Sequence, residues 1–175
     1  MEARRLGARR LGTAVLCVLM GGSALVAQAA FRTITLGSYA SVAEVVQAMA
    51  DQRMGASNRA VSILKTMTVS PAKTPLDLVI VSVEDLGLRD HATFAAIAAA
   101  ARKRGLELCP AEAGPLLRLE YTNQAEDNTL RIAMEPVATG DRAAPTVFML
   151  SGNSLLATDS GIVFDKYIRW VFARR

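Results

Sequence analysis

Cysteine and histidine are scarce in this chain of 175 residues, which contains two cysteines and one histidine. Cys17 lies in an N-terminal leader, which leaves Cys109 as the only cysteine of the remaining chain. One cysteine excludes an internal disulfide, and one cysteine with one histidine is too few ligands for a zinc site. We therefore expect no metal and no cofactor, and we expect a packed core to stabilise the remaining, roughly 145-residue chain.

Glycine-rich phosphate loops and basic patches are also missing. The segment 86–88 follows a predicted strand but lacks the glycines that a phosphate-binding loop needs. Residues 1–29 carry four arginines and one glutamate, a net charge of +3 out of +4 for the chain, so the remainder is close to +1. We expect neither a nucleotide site nor a nucleic-acid partner.

The first 29 residues have the organisation of a secretory signal peptide. In order, they contain a basic head, an apolar segment and a small-x-small cleavage sequence: Arg4, Arg5, Arg9 and Arg10, then Leu11–Met20, then Ala27-Gln28-Ala29. Cleavage would give a periplasmic or secreted protein. The alternative is an inner-membrane anchor through residues 11–30, and only in that case do we expect a membrane contact.

Two helices are predicted after a short strand or tail at 31–36. Ser41 and Glu44 form a capping box, and an apolar stripe with helical spacing follows: Val42, Val45, Val46 and Met49. This helix is expected to end near Gly55. Asn58 is the predicted cap of the second helix. Because a methionine-bearing stripe is far more often core packing than a cofactor site, we interpret the pair as core.

Residues 76–109 predict one βαβ unit. Segment 76–83 is nearly all apolar and rich in β-branched residues. This composition is typical of a strand that is buried on both faces of a sheet. Asp90 is the predicted N-cap of a helix that stops at Gly105 after three basic residues. Segment 106–109 then restarts extended structure, so the two strands are expected to be parallel with a right-handed crossover.

The rest of the chain predicts an antiparallel sheet extension. The alternating segments 116–121 and 130–134 are expected to pair as a hairpin across a polar turn. Further strands are expected at 146–150 and from residue 162 onward, after a loop at 138–145. A helix pair, one βαβ unit and an antiparallel sheet extension together predict a single α+β domain over residues 30–175.

Residues 105–121 read Gly-Leu-Glu-Leu-Cys-Pro-Ala-Glu-Ala-Gly-Pro-Leu-Leu-Arg-Leu-Glu-Tyr, and residues 132–136 read Ile-Ala-Met-Glu-Pro. These stretches, together with 77–87, resemble a family of small uncharacterised bacterial proteins that carry similar segments. The resemblance implies a bacterial origin and a shared fold. It implies no activity, and no functional residue is transferred from it.

Five residues are candidate binding residues: Glu84, Asp85, Cys109, Glu112 and Arg118. The first two end a buried strand, where α/β units often open onto ligand clefts, although a solvated turn is the simpler interpretation. The bend at 110–115 is expected either to present Glu112 at a cleft or partner surface or to serve as a strand crossover. Glu112 and Arg118, with Glu107 and Glu120, are also expected to form a charge network on a solvated sheet face.

No catalytic residue is predicted. Cys109 and His91 are the only conceivable thiol and base, but the predicted βαβ unit separates them by roughly 20 Å along one helix. The sequence therefore predicts an exported, non-catalytic binding or accessory protein, with an unidentified protein or small ligand as its partner. The alternative is a small hydrolase that uses Glu84, Asp85 and Glu112 together, which requires these carboxylates to converge.

Overall fold

The computed structural model describes residues 29–138 and 144–174, so all but the last residue of the predicted signal peptide and most of the predicted loop at 138–145 lie outside the described residues. The described residues form four helices and ten strands. In chain order they are β1 (Arg32–Leu36), α1 (Val42–Asp51), β2 (Gly55–Ala56), α2 (Asn58–Thr66), β3 (Thr74–Ser82), β4 (Ala92–Thr93), α3 (Phe94–Arg102), β5 (Leu106–Glu107), α4 (Ala113–Glu120), β6 (Leu130–Ile132), β7 (Thr146–Ser151), β8 (Ser154–Asp159), β9 (Val163–Phe164) and β10 (Arg169–Arg174).

One eight-stranded sheet dominates the structure, with the order β1-β3-β10-β6-β7-β8-β2 and with β5 also paired to β10. The strands β4 and β9 form a separate two-stranded sheet. Because helices and a large sheet both occur, the α+β prediction is confirmed at this level. The strands predicted at 76–83, 130–134 and 146–150 are present as β3, β6 and β7, whereas residues 162–174 form two separate strands rather than one.

The strands of the predicted βαβ unit are not neighbours. The C-terminal strand β10 lies between β3 and β5 and pairs antiparallel with both. The reason is the composition of β10, in which the four consecutive residues 170–173 are all buried. A strand that is apolar on both faces is stable only inside a sheet, so β10 occupies the centre and separates the other two.

The predicted end of α1 and the predicted N-cap of α2 both differ from the structure. The capping box of α1 is present, because Ser41 Oγ accepts a hydrogen bond from the Glu44 amide at 3.2 Å. However, α1 ends before Gly55, since Arg53 adopts a left-handed φ of 55° and terminates the helix. The cap of α2 is Ser57, whose hydroxyl accepts from the Ala60 amide, and Asn58 is already helical.

The predicted cap of α3 is also wrong. Thr93 caps this helix and accepts a hydrogen bond from the Ala96 amide at 3.3 Å. Asp90 lies before a residue with a left-handed φ of 66°, His91, and accepts from the Lys166 amide instead. The carboxylate therefore joins the turn before β10 to the start of the β4 segment.

The largest error concerns residues 116–121, which form helix α4 and not a strand. The predicted hairpin is therefore wrong, and β6 pairs instead with β7 and β10. Pro115 is compatible with the helix because it lies in the first turn, where a backbone N–H has no helical acceptor. All residues of α4 except Glu120 are buried, and the helix packs against α1, β1, β7 and β8.

A glycine sets how closely α4 approaches the sheet. A Cβ atom added at Gly114 would lie 2.5 Å from Cδ2 of Phe148, a fully buried residue of β7. Real Cβ atoms do not approach side chains so closely, and a rigid aromatic ring in a filled core has little room to move. The helix can therefore occupy this position only with glycine at residue 114.

We predict that Gly114→Ala destabilises the protein by about 1–3 kcal/mol through overpacking against Phe148. Helix propensity alone has the opposite sign and favours alanine by about 1 kcal/mol. The free energy of unfolding is measured by urea denaturation. The loss of stability caused by Gly114→Ala should be smaller in a Phe148→Leu background. A stabilising Gly114→Ala substitution would contradict the packing described here.

Candidate functional site

The structure does not bring the three candidate carboxylates together. Glu112 accepts hydrogen bonds from the amide of Gly37, at 2.8 Å, and from the amide of Ser70, at 2.9 Å. Gly37 follows Leu36, which pairs with Thr74 at the start of β3, whereas Glu84 and Asp85 follow its end. A nine-residue strand is roughly 30 Å long at 3.3 Å per residue. The convergence that the hydrolase alternative requires is therefore absent.

Glu84 and Asp85 lie in an exposed turn that is closed by its own hydrogen bonds. Asp85 Oδ2 accepts from the Ser82 amide at 2.8 Å, and Ser82 Oγ accepts from the Asp85 amide at 3.0 Å. This reciprocal pair accounts for the Asp85 carboxylate without a ligand. The solvated turn, which was the simpler interpretation, is what the structure shows.

Glu112 and Arg118 are buried, so they do not lie on the solvated sheet face where the charge network was expected. Glu112 is 1% exposed at the N-terminus of α4 and turns inward rather than toward a partner surface. Arg118 is fully buried, and its Nη1 donates to Gln124 Oε1 at 2.8 Å and to the carbonyl of Gly152. The sequence pattern was misread because charged residues are rarely buried.

No carboxylate among the described residues hydrogen-bonds the Arg118 guanidinium, whose Nε and Nη2 make no hydrogen bond there. Burial lowers the pKa of Arg118, and Tyr121 has the opposite, smaller effect. The guanidinium carbon lies 6.0 Å from the centre of the Tyr121 ring, a distance at which the ring face attracts a cation. We therefore interpret Arg118 as an anchor between α4, the following loop and the β7–β8 turn.

Cys109 is a core residue. Its thiol is buried and donates to the carbonyl of Val171 at 3.6 Å, and burial raises its pKa to about 12. A thiol in this state is protonated at neutral pH and is a poor nucleophile. In residues 29–138 and 144–174, no group of three His, Cys, Asp or Glu side chains could hold a metal ion.

An open apolar groove between α1 and α2 is the best candidate for a binding site, and none of the five predicted residues lies in it. Its volume is about 310 Å³. Helix α1 contributes four lining residues, the α1–α2 connection two and α2 three: Val42, Val46, Met49 and Ala50, then Met54 and Ala56, then Val61, Leu64 and Lys65. Within the described residues, Lys65 is the only charged side chain in the lining.

The groove exists because α1 has more apolar residues than its core contact needs. Val45 and Met49 face the core and are buried. Val42, Val46 and Ala50 follow one another at intervals of four residues on the adjacent row of the helix surface, and Val46 is 44% exposed. The sequence contained this signal in its apolar stripe, which we interpreted wholly as core.

Backbone and side-chain hydrogen bonds hold the connection between the two helices on the edge of the sheet. The amide of Gly55 donates to the carbonyl of Asn153 at 3.2 Å, and Asn153 Nδ2 donates to the carbonyl of Arg53 at 3.0 Å. Strand β2 pairs in parallel with the start of β8. The turn that closes one end of the groove is therefore tied to the β7–β8 turn.

A second hollow, of about 440 Å³, lies at the start of the stretch 105–121 that carries the family resemblance. Its lining includes Arg102, Glu107 and Glu135, together with residues 105, 106 and 108. Charges of both signs in a wide hollow are typical of a solvated surface, whereas ligand sites are predominantly apolar with few polar groups. The groove between α1 and α2 fits that description better.

Comparison with known proteins supplies no site, because no protein-family model, no curated protein and no solved structure matches this chain. The resemblance over residues 105–121 therefore stays a prediction. None of the helices among the described residues has both the length and the apolar composition to cross a bilayer.

We predict that a thiol reagent does not label Cys109 in the native protein at neutral pH and labels it completely after unfolding in guanidinium chloride. Because the folded-state pKa is raised from its ordinary value of 9.0 to about 12, the protein also loses stability as the pH rises through this interval. The stability of the Cys109→Ala variant should not show this decrease with rising pH. Rapid labelling of the native thiol would show that the residue is accessible and would contradict the assignment to the core.

Proposed function

We propose that this is an exported, non-catalytic binding protein and that the groove between α1 and α2 is its ligand site. The observation that carries the proposal is an open concave surface whose lining, in the part of the chain that the structure describes, consists of eight apolar residues and one lysine. Concave surfaces lined mainly by apolar side chains, with few polar groups, are typical of ligand sites. Export is supported by the sequence of residues 1–29, which reads as a signal peptide.

Folding alone gives no reason for a valine at position 46. Val46 is 44% exposed and is not part of the hydrophobic core. A polar residue in its place would leave the core contacts of Val45 and Met49 unchanged. Val46 instead extends the apolar surface of the groove, which is favourable when a ligand removes that surface from water.

The hydrolase alternative receives no support. Its carboxylates lie at opposite ends of β3, and Glu112 is occupied by the amides of Gly37 and Ser70. Both oxygens of Glu112 thus have a structural function. The Cys109 thiol is buried and protonated, as described above.

Binding of an uncharged fluorescent naphthylamine tests the proposal, and Val46→Asp is the decisive variant. A carboxylate in the groove wall would have to be desolvated by an apolar ligand, so we expect the affinity for the dye to fall at least about tenfold. Because Val46 is half exposed, we expect the free energy of unfolding to change by no more than about 0.5 kcal/mol.

Val163→Asp is the matched control, since Val163 is 49% exposed and lies outside the groove. It should bind the dye as the unchanged protein does. The full-length gene is expressed in an exporting bacterial host, and the intact mass of the product shows whether the leader has been removed. Absence of dye binding to the folded protein, or an equal loss in both variants, would refute the groove as the ligand site.

A further inference from the structure

We infer that the ligand is a single-chain amphiphile with one anionic headgroup, such as a fatty acid, with its chain in the α1–α2 groove and its headgroup paired with Lys65. This inference rests on the proposed function and specifies the ligand class. Three properties of the groove carry it: the composition of the lining, the size of the groove and the position of the one charge.

The lining selects hydrocarbon. Val46 of α1 and Val61 of α2 both line the groove, and apart from Lys65 the described lining consists of aliphatic and thioether side chains. These side chains offer no strong hydrogen-bond donor or acceptor, so a polar group placed among them would lose its bonds to water without replacement. Each methylene group that enters the groove instead raises the binding affinity about fourfold.

The size of the groove favours a single hydrocarbon chain over a partner helix as its occupant. Helices α1 and α2 have ten and nine residues and are therefore about 15 Å and 14 Å long. The groove volume of about 310 Å³ equals the liquid volume of about ten water molecules. A partner helix has a diameter of about 10–12 Å with its side chains, so a segment as long as the groove would lie largely outside it.

Lys65 supplies the complement for an anionic head. It lies in the last turn of α2, is exposed, and borders the otherwise apolar lining. A lysine side chain can extend its apolar stem along such a surface and keep its ammonium in water. A cation at this position also suits the C-terminal end of the helix dipole. That effect explains a lysine in the last turn, but it does not require the lysine to border the groove.

Displacement of the bound naphthylamine dye measures the affinities of hexanoate, octanoate, decanoate and laurate, each below its micelle concentration. Decanol and decyltrimethylammonium have the same chain as decanoate with a neutral or a cationic head. We expect the affinity to rise about fourfold per added methylene until the groove is full. Decanoate should bind more tightly than decanol by about two- to fivefold at low salt, because an exposed ion pair contributes little more.

The variant Lys65→Met removes the charge and retains an apolar side chain of similar length. It should abolish the preference for decanoate over decanol and leave the affinity for decanol unchanged. Lys103→Met is the matched control, since Lys103 also lies at the end of a helix, at the C-cap of α3, and does not line the groove. The preference for decanoate should persist in this control.

The outcomes separate the inference from the proposal on which it rests. If decanol binds as tightly as decanoate and Lys65→Met changes neither, the groove is a ligand site but the anionic head is refuted. If no chain displaces the dye while a synthetic amphipathic helical peptide does, the occupant is a partner helix and the inference is wrong. If the dye itself does not bind, the proposed ligand site is refuted, whatever the ligand class.

Discussion

The buried carboxylate of Glu112 joins three segments that are distant in the sequence. It is the N-cap residue of α4 and accepts hydrogen bonds from the amides of Gly37, directly after β1, and of Ser70, in the loop before β3. Each of these amides would cost about 1–3 kcal/mol if it were buried without an acceptor. The Gly37 turn has little freedom of its own, since φ is 66° and a Cβ atom would lie 2.5 Å from the Ala72 carbonyl oxygen. Glu112 therefore helps to determine where the chain turns into α1, one wall of the groove.

Arg118 has the corresponding function at the other end of α4. Its guanidinium holds the carbonyl of Gly152 in the β7–β8 turn, and the next residue, Asn153, holds Arg53 and Gly55 of the α1–α2 connection. The entry to α1 and the turn that closes the groove are thus both tied to α4, one through the buried Glu112 side chain and the other through the buried Arg118 guanidinium. This arrangement holds the surface groove in a rigid framework. Less conformational entropy is therefore lost when a ligand binds there.

Local signals in the sequence were sufficient where local interactions decide the structure. Helix α1 was predictable because Ser41 and Glu44 are close enough in sequence to bond each other, and β3 was predictable from one continuous apolar run. Helix α4 was not, because six residues with alternating character do not separate a period of 2 from a period of 3.6. Its burial depends on β1, β7 and β8, and the central position of β10 depends on strand pairing across most of the chain. The groove was visible only as an apolar stripe, because tertiary packing decides which of Val45 and Val46 is buried.

Amide chemical-shift mapping during a titration with decanoate shows whether a ligand binds between α1 and α2, on the framework that α4 holds in place. We expect the perturbed amides to lie in α1, the α1–α2 connection and α2 and to saturate together, and we expect the amides of β3 and β10 to be unaffected. Perturbations centred on the hollow lined by Arg102 and Glu135, or on the exposed residues Ile162, Val163 and Tyr167, would place the ligand elsewhere. A titration that shifts no amide of α1 or α2 would show that the groove is not the ligand site.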